Sequence, residues 1–188
     1  MKKSLCLAWL IGCALAGAAH ADIPAGWSAT GSAARDYEMG SVAGKRHPGD
    51  KSGFIRAKGD SAGFGTMAQM IDAEAYRGKR VRLSGFLRTE QAGRGQMWMR
   101  VDGAGERSLG FDNMDDRALV GDTDWKRYEI VLDVPDGAID IAFGFLLSGK
   151  GEIWADDFQL EVVGPDVPVT GGNLRKLTRE PVNLDFSQ

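Results

Sequence analysis

The sequence predicts an all-β chain, and three observations carry that expectation. From Ser52 onward, short apolar-patterned runs alternate with clusters of Gly and Asp. Hardly any window sustains the three-to-four-residue spacing of an amphipathic helix. The runs number eight or more, which is enough to fill two packed antiparallel sheets around one core.

The expected strands are 53–58, 64–71, 79–88, 96–102, 108–111, 125–134, 138–147 and 152–163, with room for one helical turn at 72–77. Breaks are expected at Ala92-Gly93-Arg94-Gly95, Asp102-Gly103-Ala104-Gly105, Pro135-Asp136-Gly137 and Ser148-Gly149-Lys150-Gly151, whose residues tolerate turn geometry. Pro135-Asp136-Gly137, between two alternating runs, reads as a hairpin. After Val163 the pattern stops. The stretch 164–181 has linker composition, and Val182-Asn183-Leu184-Asp185-Phe186 reads as a further strand packing back on the sandwich.

Strict alternation assigns faces, because a step of one residue turns a side chain to the other side of a sheet. Val81, Leu83 and Leu87 are expected inside, opposite Arg82, Ser84, Phe86 and Arg88. Met97, Met99 and Val101 are expected inside, with Gln96, Trp98, Arg100 and Asp102 outside. Tyr128, Ile130, Leu132 and Val134 form another inward set, and Ile139, Ile141, Phe143, Phe145 and Leu147 are the most apolar stripe in the chain.

The N-terminus reads as a secretory signal peptide over residues 1–21. Lys2 and Lys3 precede a short apolar stretch, and Ala19-His20-Ala21 offers small residues for cleavage before Asp22. Leu10-Ile11-Gly12-Cys13 is the alternative, a lipoprotein box whose cysteine would carry the acyl chains. Cleavage after Ala21 removes both cysteines, Cys6 and Cys13, and leaves a mature domain without thiols in an oxidising compartment, periplasmic or extracellular. It also removes two lysines and no acid, so the net charge of −3 becomes more negative. Nucleic acid is therefore not an expected partner, and no other run is apolar enough to span a membrane. The organisation expected is 1–21 signal peptide, 22–163 sandwich, and 164–188 linker with C-terminal strand, acting as a monomer.

Several segments carry a family resemblance. They are Tyr76-Arg77-Gly78-Lys79-Arg80-Val81-Arg82, Met97-Trp98-Met99-Arg100-Val101-Asp102-Gly103, Phe111-Asp112-Asn113-Met114, Asp124-Trp125 with the run to Pro135, Gly149-Lys150-Gly151 and Trp154-Ala155-Asp156-Asp157. Over about 26–163 the chain resembles a bacterial jelly-roll accessory domain attached to some AraC-type transcriptional regulators and also found as free-standing secreted proteins. More distantly it is similar to galactose-binding-like carbohydrate-binding modules, which carry an acidic pair before a hydrophobic residue on the last strand. The resemblance implies a jelly-roll β-sandwich that serves as a ligand-binding or interaction module and performs no chemistry. The chain departs from the regulators in having no helix-turn-helix pattern. Many such modules begin with an Asn-Leu-Asp-Phe-Glu strand before a Gly-Trp pair. Here Gly26-Trp27 lacks it, Asn183-Leu184-Asp185-Phe186 stands at the C-terminus instead, and Ser187 occupies the Glu position.

Trp98, with Gln96 and Arg100, is the leading candidate for function, because the core on that strand is already supplied by its neighbours. An outward indole beside planar hydrogen-bonding groups suits a glycan or another small amphipathic ligand, and Ala142 and Gly144 leave room for a groove. The alternative is a Trp98 covered by the 164–181 segment or packed as part of the second face. Arg88, Asp112 and Asn113 complete the expected binding set. Asp156, Asp157 and Asp185 are candidate oxygen ligands for a structural calcium, with solvated or ion-paired acids as the plain alternative; no other cofactor is expected. Gly59-Asp60-Ser61-Ala62-Gly63 matches a nucleophile elbow, but the only mature histidine, His47, precedes it and no helix pattern follows, so it reads as a turn. The rival readings are an envelope protein-interaction module and, further off, a glycoside hydrolase.

Overall fold

The computed structural model describes residues 22–170, apart from Pro48 and the side chain of Glu106. Nine strands follow in order: β1 (Ser28–Thr30), β2 (Tyr37–Ala43), β3 (Lys51–Ala57), β4 (Phe64–Asp72), β5 (Lys79–Gly103), β6 (Arg107–Asp112), β7 (Leu119–Val134), β8 (Ala138–Ser148) and β9 (Glu152–Val163). Single 3-10 turns lie at Ala34–Asp36, Glu74–Tyr76 and Ala104–Glu106. Every strand pair is antiparallel.

One strand organises the sandwich. The first half of β5 lies between β7 and β9, and β9 continues through β3 to β2. Its second half lies between β8 and β6, and β8 continues through β4 to β1. Where the sequence suggested a break at Ala92-Gly93-Arg94-Gly95, β5 instead runs on through register shifts between Leu87 and Gly95, with Gln91 at φ 48°. The glycines there serve close approach rather than reversal. A Cβ on Gly93 would stand 2.7 Å from the Ser148 carbonyl oxygen, and one on Gly151, at φ 85°, would stand 2.4 Å from the Gln91 backbone.

The inner faces of both halves fill one core. Val81, Leu83, Leu87, Ile130, Leu132 and Ile153 meet Met67, Met97, Met99, Val101, Ile141, Phe145 and Leu147, all nearly or fully buried. The inward sets read from alternation are found on β5 and on β7, where Tyr128 packs partly buried against the core. Ile139 is a correction: it is 48% exposed, because the shift between Asp102 and Gly103 leaves it as the extra residue of a bulge and turns Ala138 inward instead.

The Pro135-Asp136-Gly137 reading is also corrected. The turn forms, with the Ala138 N–H donating to the Pro135 carbonyl at 3.0 Å. Yet β7 pairs with the first half of β5 and β8 with the second, so the turn carries the chain from one sheet to the other instead of closing a hairpin. Strands β1 and β2 went unread, the one because it spans three exposed residues, the other because Gly40 interrupts its alternation at the sheet edge.

Beyond β9 the described chain turns back over the edge of β7. Arg80 Nη1 donates to the carbonyls of Pro165 and Val167. The Thr170 N–H donates to the Val131 carbonyl, and the Val131 N–H donates to Thr170 Oγ1 at 2.8 Å. The segment 182–186 and Asp185 lie outside the described residues, as do residues 1–21. Among the described residues, no helix is long and apolar enough to cross a membrane.

Candidate functional site

The registers of β4, β8 and β5 stack outward-facing residues into rungs on the second sheet. Ser148 stands between Phe64 and Arg94, Leu146 between Thr66 and Gln96, Gly144 between Ala68 and Trp98, and Ala142 between Met70 and Arg100, with Phe111 of β6 beyond. Gly144 and Ala142 on the central strand stand among the larger Met70, Trp98, Arg100 and Phe111, which leaves a hollow on this face. The resulting cleft has a volume of about 790 Å³. Its sides are apolar at Met70, 64% exposed, and Phe111, 47% exposed.

Polar groups in the cleft are fixed by one another. Trp98 Nε1 donates to Thr66 Oγ1 at 2.9 Å, and Thr66 Oγ1 donates to the Phe145 carbonyl at 2.8 Å. Gln96 Nε2 donates to the Asn113 carbonyl at 2.6 Å and to Asp115 Oδ1 at 3.1 Å. Arg94 Nη2 reaches the same Asp115 oxygen at 2.9 Å. Arg100 Nε donates to Asp102 Oδ2 at 2.7 Å. One rung further on, Asp140 lies between Asp72 and Asp102. Burial and the Asp102 negative charge push the Asp140 carboxyl above the usual carboxylate range.

Four of the six residues expected to bind ligand meet here: Gln96, Trp98, Arg100 and Asn113 all line the cleft. Arg88 and Asp112 do not, and their placement corrects the sequence reading. Arg88 shares its outward parity with Trp98, but the bend in β5 puts the two in different sheets, so outward means opposite sides of the sandwich. Arg88 lies over the Trp154 ring at 4.9 Å and pairs with Glu90. Asp112 follows Phe111 on β6, and the alternation that turns Phe111 to the cleft turns Asp112 inward. There its carboxylate accepts from Arg117 Nη2 at 2.6 Å, Thr170 Oγ1 at 2.7 Å and the Met114 N–H at 2.8 Å. Burial alone would raise the Asp112 carboxyl, but the Arg117, Thr170 and Met114 donors outweigh it and hold the group below its ordinary range.

Met70, Phe111, Thr66 and Arg94 were not read from the sequence as site residues. The alternation of Thr66, Ala68 and Met70 was available as a signal, but only the register with β8 shows that it faces Trp98.

The other candidates resolve locally. Ser61 Oγ donates to Asp36 Oδ2 at 2.7 Å and accepts from the Gly63 N–H at 3.2 Å, the bonding of a turn rather than of a nucleophile beside an imidazole. Asp156 and Asp157 border a second cavity of about 350 Å³ with Asp22, Lys51, Trp27 and Phe158. Asp156 Oδ2 accepts from Ser52 Oγ at 3.0 Å, and Asp157 faces Arg46 at 3.6 Å. Among the described residues, no three acids or histidines gather as a metal-ligand set. Asp185, the third residue expected to ligate calcium, lies outside the described residues.

No protein-family model matches the chain. It is 41% identical over 167 residues to the HTH-type transcriptional regulator YbfP of Bacillus subtilis strain 168, covering 87% of this chain and 57% of the regulator. The chain therefore spans little more than half of that relative. In structure it is similar to the CBM22-1 xylan-binding domain of a Paenibacillus barcinonensis protein, with a TM-score of 0.55 at 15% identity over 77% of this chain and 90% of that one. The chain has a jelly-roll β-sandwich fold. The same jelly roll recurs in an enzymatically active domain of tailspike protein 4 of bacteriophage CBA120, with a TM-score of 0.52 at 18% identity over 74% of this chain and 20% of the other. The jelly-roll fold thus agrees with both resemblances read from the sequence, to a regulator-associated domain and to carbohydrate-binding modules.

Proposed function

We propose that this jelly roll is a non-catalytic module that binds a glycan, or another small amphipathic ligand, in the cleft over Trp98. One observation carries the reading: a half-buried indole, fixed by its Nε1 bond to Thr66, lines a cleft on the sheet face together with the exposed Arg100, Met70 and Phe111. A sugar ring presents the matching surfaces, an apolar face of C–H groups for stacking and a rim of hydroxyls for hydrogen bonds. The carbohydrate-binding modules among its structural neighbours support the reading at the level of fold. The proposal includes export as a monomer after removal of residues 1–21, to the periplasm or beyond. A mature mass beginning at Asp22 checks the processing, and a lipidated species beginning at Cys13 refutes it.

The test of binding is a glycan array probed with the mature chain and with Trp98→Ala. Retention of a glycan class by the mature chain and its loss in the variant supports the module. A folded mature chain that binds no glycan turns attention to the second reading, a protein partner, which the exposure of Met70 and Phe111 favours.

A further inference from the structure

We infer that the cleft selects a glycan bearing carboxylates, a uronate-containing chain, over a neutral one; this rests on the glycan reading above. The inference starts from Arg100. Its Nε is engaged by Asp102, while among the described residues its two terminal nitrogens have no hydrogen-bond partner. The ion pair is one-sided in exposure: the Arg100 side chain is 44% exposed and that of Asp102 only 8%. A ligand in the cleft therefore meets the guanidinium, with the carboxylate behind it fixing its orientation.

Among the described residues the other neighbouring acids make no hydrogen bond to those two nitrogens, although the Asp140 charge is felt at Arg100. Asp140 Oδ1 is buried away from solvent. Asp72 accepts the Glu74 N–H at 2.6 Å and stands two strands from Asp102, a separation of roughly 10 Å. Asp115, the one carboxylate among the described residues that border the cleft, is already shared by Arg94 and Gln96. What the cleft offers is thus an oriented and unsatisfied planar donor, and the group that matches it in two parallel hydrogen bonds is a carboxylate.

Position fits the same ligand. Arg100 is one rung along β5 from Trp98, about 7 Å, so a ring stacked on the indole brings an exocyclic carboxylate of its own or of the next sugar to the guanidinium. Met70 and Phe111 stand in the same rung on either side of it, offering apolar surface to the sugar that carries the carboxylate.

Isothermal titration of the purified chain decides it, using oligogalacturonides, alginate oligomers and glucuronoxylan fragments, each beside its own carboxyl-reduced form. The expected result is at least one acidic form binding about tenfold or more tightly than its reduced partner, with the gap closing at high salt. Arg100→Gln, checked for an unchanged melting curve, should abolish the gap. Equal or tighter binding of every reduced form overturns the inference while leaving the glycan reading standing. A gap that persists in Arg100→Gln overturns the assignment to this residue. Binding of no acidic and no reduced form by the folded chain defeats the glycan reading itself, and the inference with it.

Discussion

Trp98 gives its indole N–H to Thr66 across β8, at 2.9 Å, and Thr66 gives its hydroxyl hydrogen to the Phe145 carbonyl on the strand between them. The relay spends the polar edge of the indole inside the sheet and leaves the ring to act as a platform. Thr66 is a positioning residue on this reading. Thr66→Val keeps the shape but leaves the indole N–H unpaired, a change that costs about 1–2 kcal/mol and should lower the melting temperature by about 2–8 °C in a domain of this size. Thr66→Ser should restore most of it. A Thr66→Val protein that melts like the parent would show that the bond contributes nothing.

Asp112 predicts an acid limit for the fold. Its folded pKa is held below the unfolded value by Arg117, Thr170 and the Met114 N–H, so its stabilisation is complete above the ordinary carboxylate range and is lost as pH falls through the lowered folded value. Asp112→Asn should therefore reduce stability at neutral pH by about 1–3 kcal/mol and flatten the loss at low pH, measured by urea unfolding across pH 3–7. Thr170→Val should reproduce part of the effect, because Thr170 joins the Asp112 carboxylate to the edge of β7.

The floor of the cleft was legible in the sequence, and its sides were not. Period-two alternation around Met97, Met99 and Val101 is a local signal, and it placed Gln96, Trp98 and Arg100 correctly on one outer face. Arg88 shows where local signals end: nothing in the run from Thr89 to Gly95 announces that a continuous strand changes sheet there, because the glycines that permit the backbone contact with 149–151 are the residues that elsewhere make turns. Asp112 was included only because its run lies close in sequence to Trp98, and the strand it ends is too short for its period to show that it turns inward. Met70 and Phe111 were out of reach, since their meeting with Arg100 depends on registers between strands far apart in the chain.

Asp140 predicts a stabilising substitution. Its folded pKa is raised, by burial and then by Asp102, so the fold disfavours the charged form and stability is lost as pH rises through the folded value. Asp140→Asn mimics the protonated group. It should raise the melting temperature at pH 7 by about 1–3 °C and by less near pH 3, where the carboxyl is already neutral. A variant that melts lower than the parent at pH 7 would mean that the Asp140 charge is needed, for instance to balance Arg100.

Trp98 decides between platform and core. Its rung is Ala68, Gly144 and Trp98, and a Cβ on Gly144 would stand 2.1 Å from the Met67 carbonyl oxygen, so the central strand has no side chain there to cover the indole. The ring is half-buried and lines the cleft, unlike Met97 and Met99 on either side, which have no exposure at all. Truncation to Ala therefore removes a surface a ligand uses while leaving the core layer intact. We expect Trp98→Ala to weaken ligand binding by about 1–3 kcal/mol and to reduce folding stability by less than the roughly 3–5 kcal/mol that a fully buried aromatic costs. Far-ultraviolet circular dichroism and thermal melting supply the stability arm, and titration with the array-selected glycan supplies the binding arm. A stability loss of 3 kcal/mol or more with no change in affinity would assign Trp98 to the packing of the sheet and move the ligand elsewhere in the cleft.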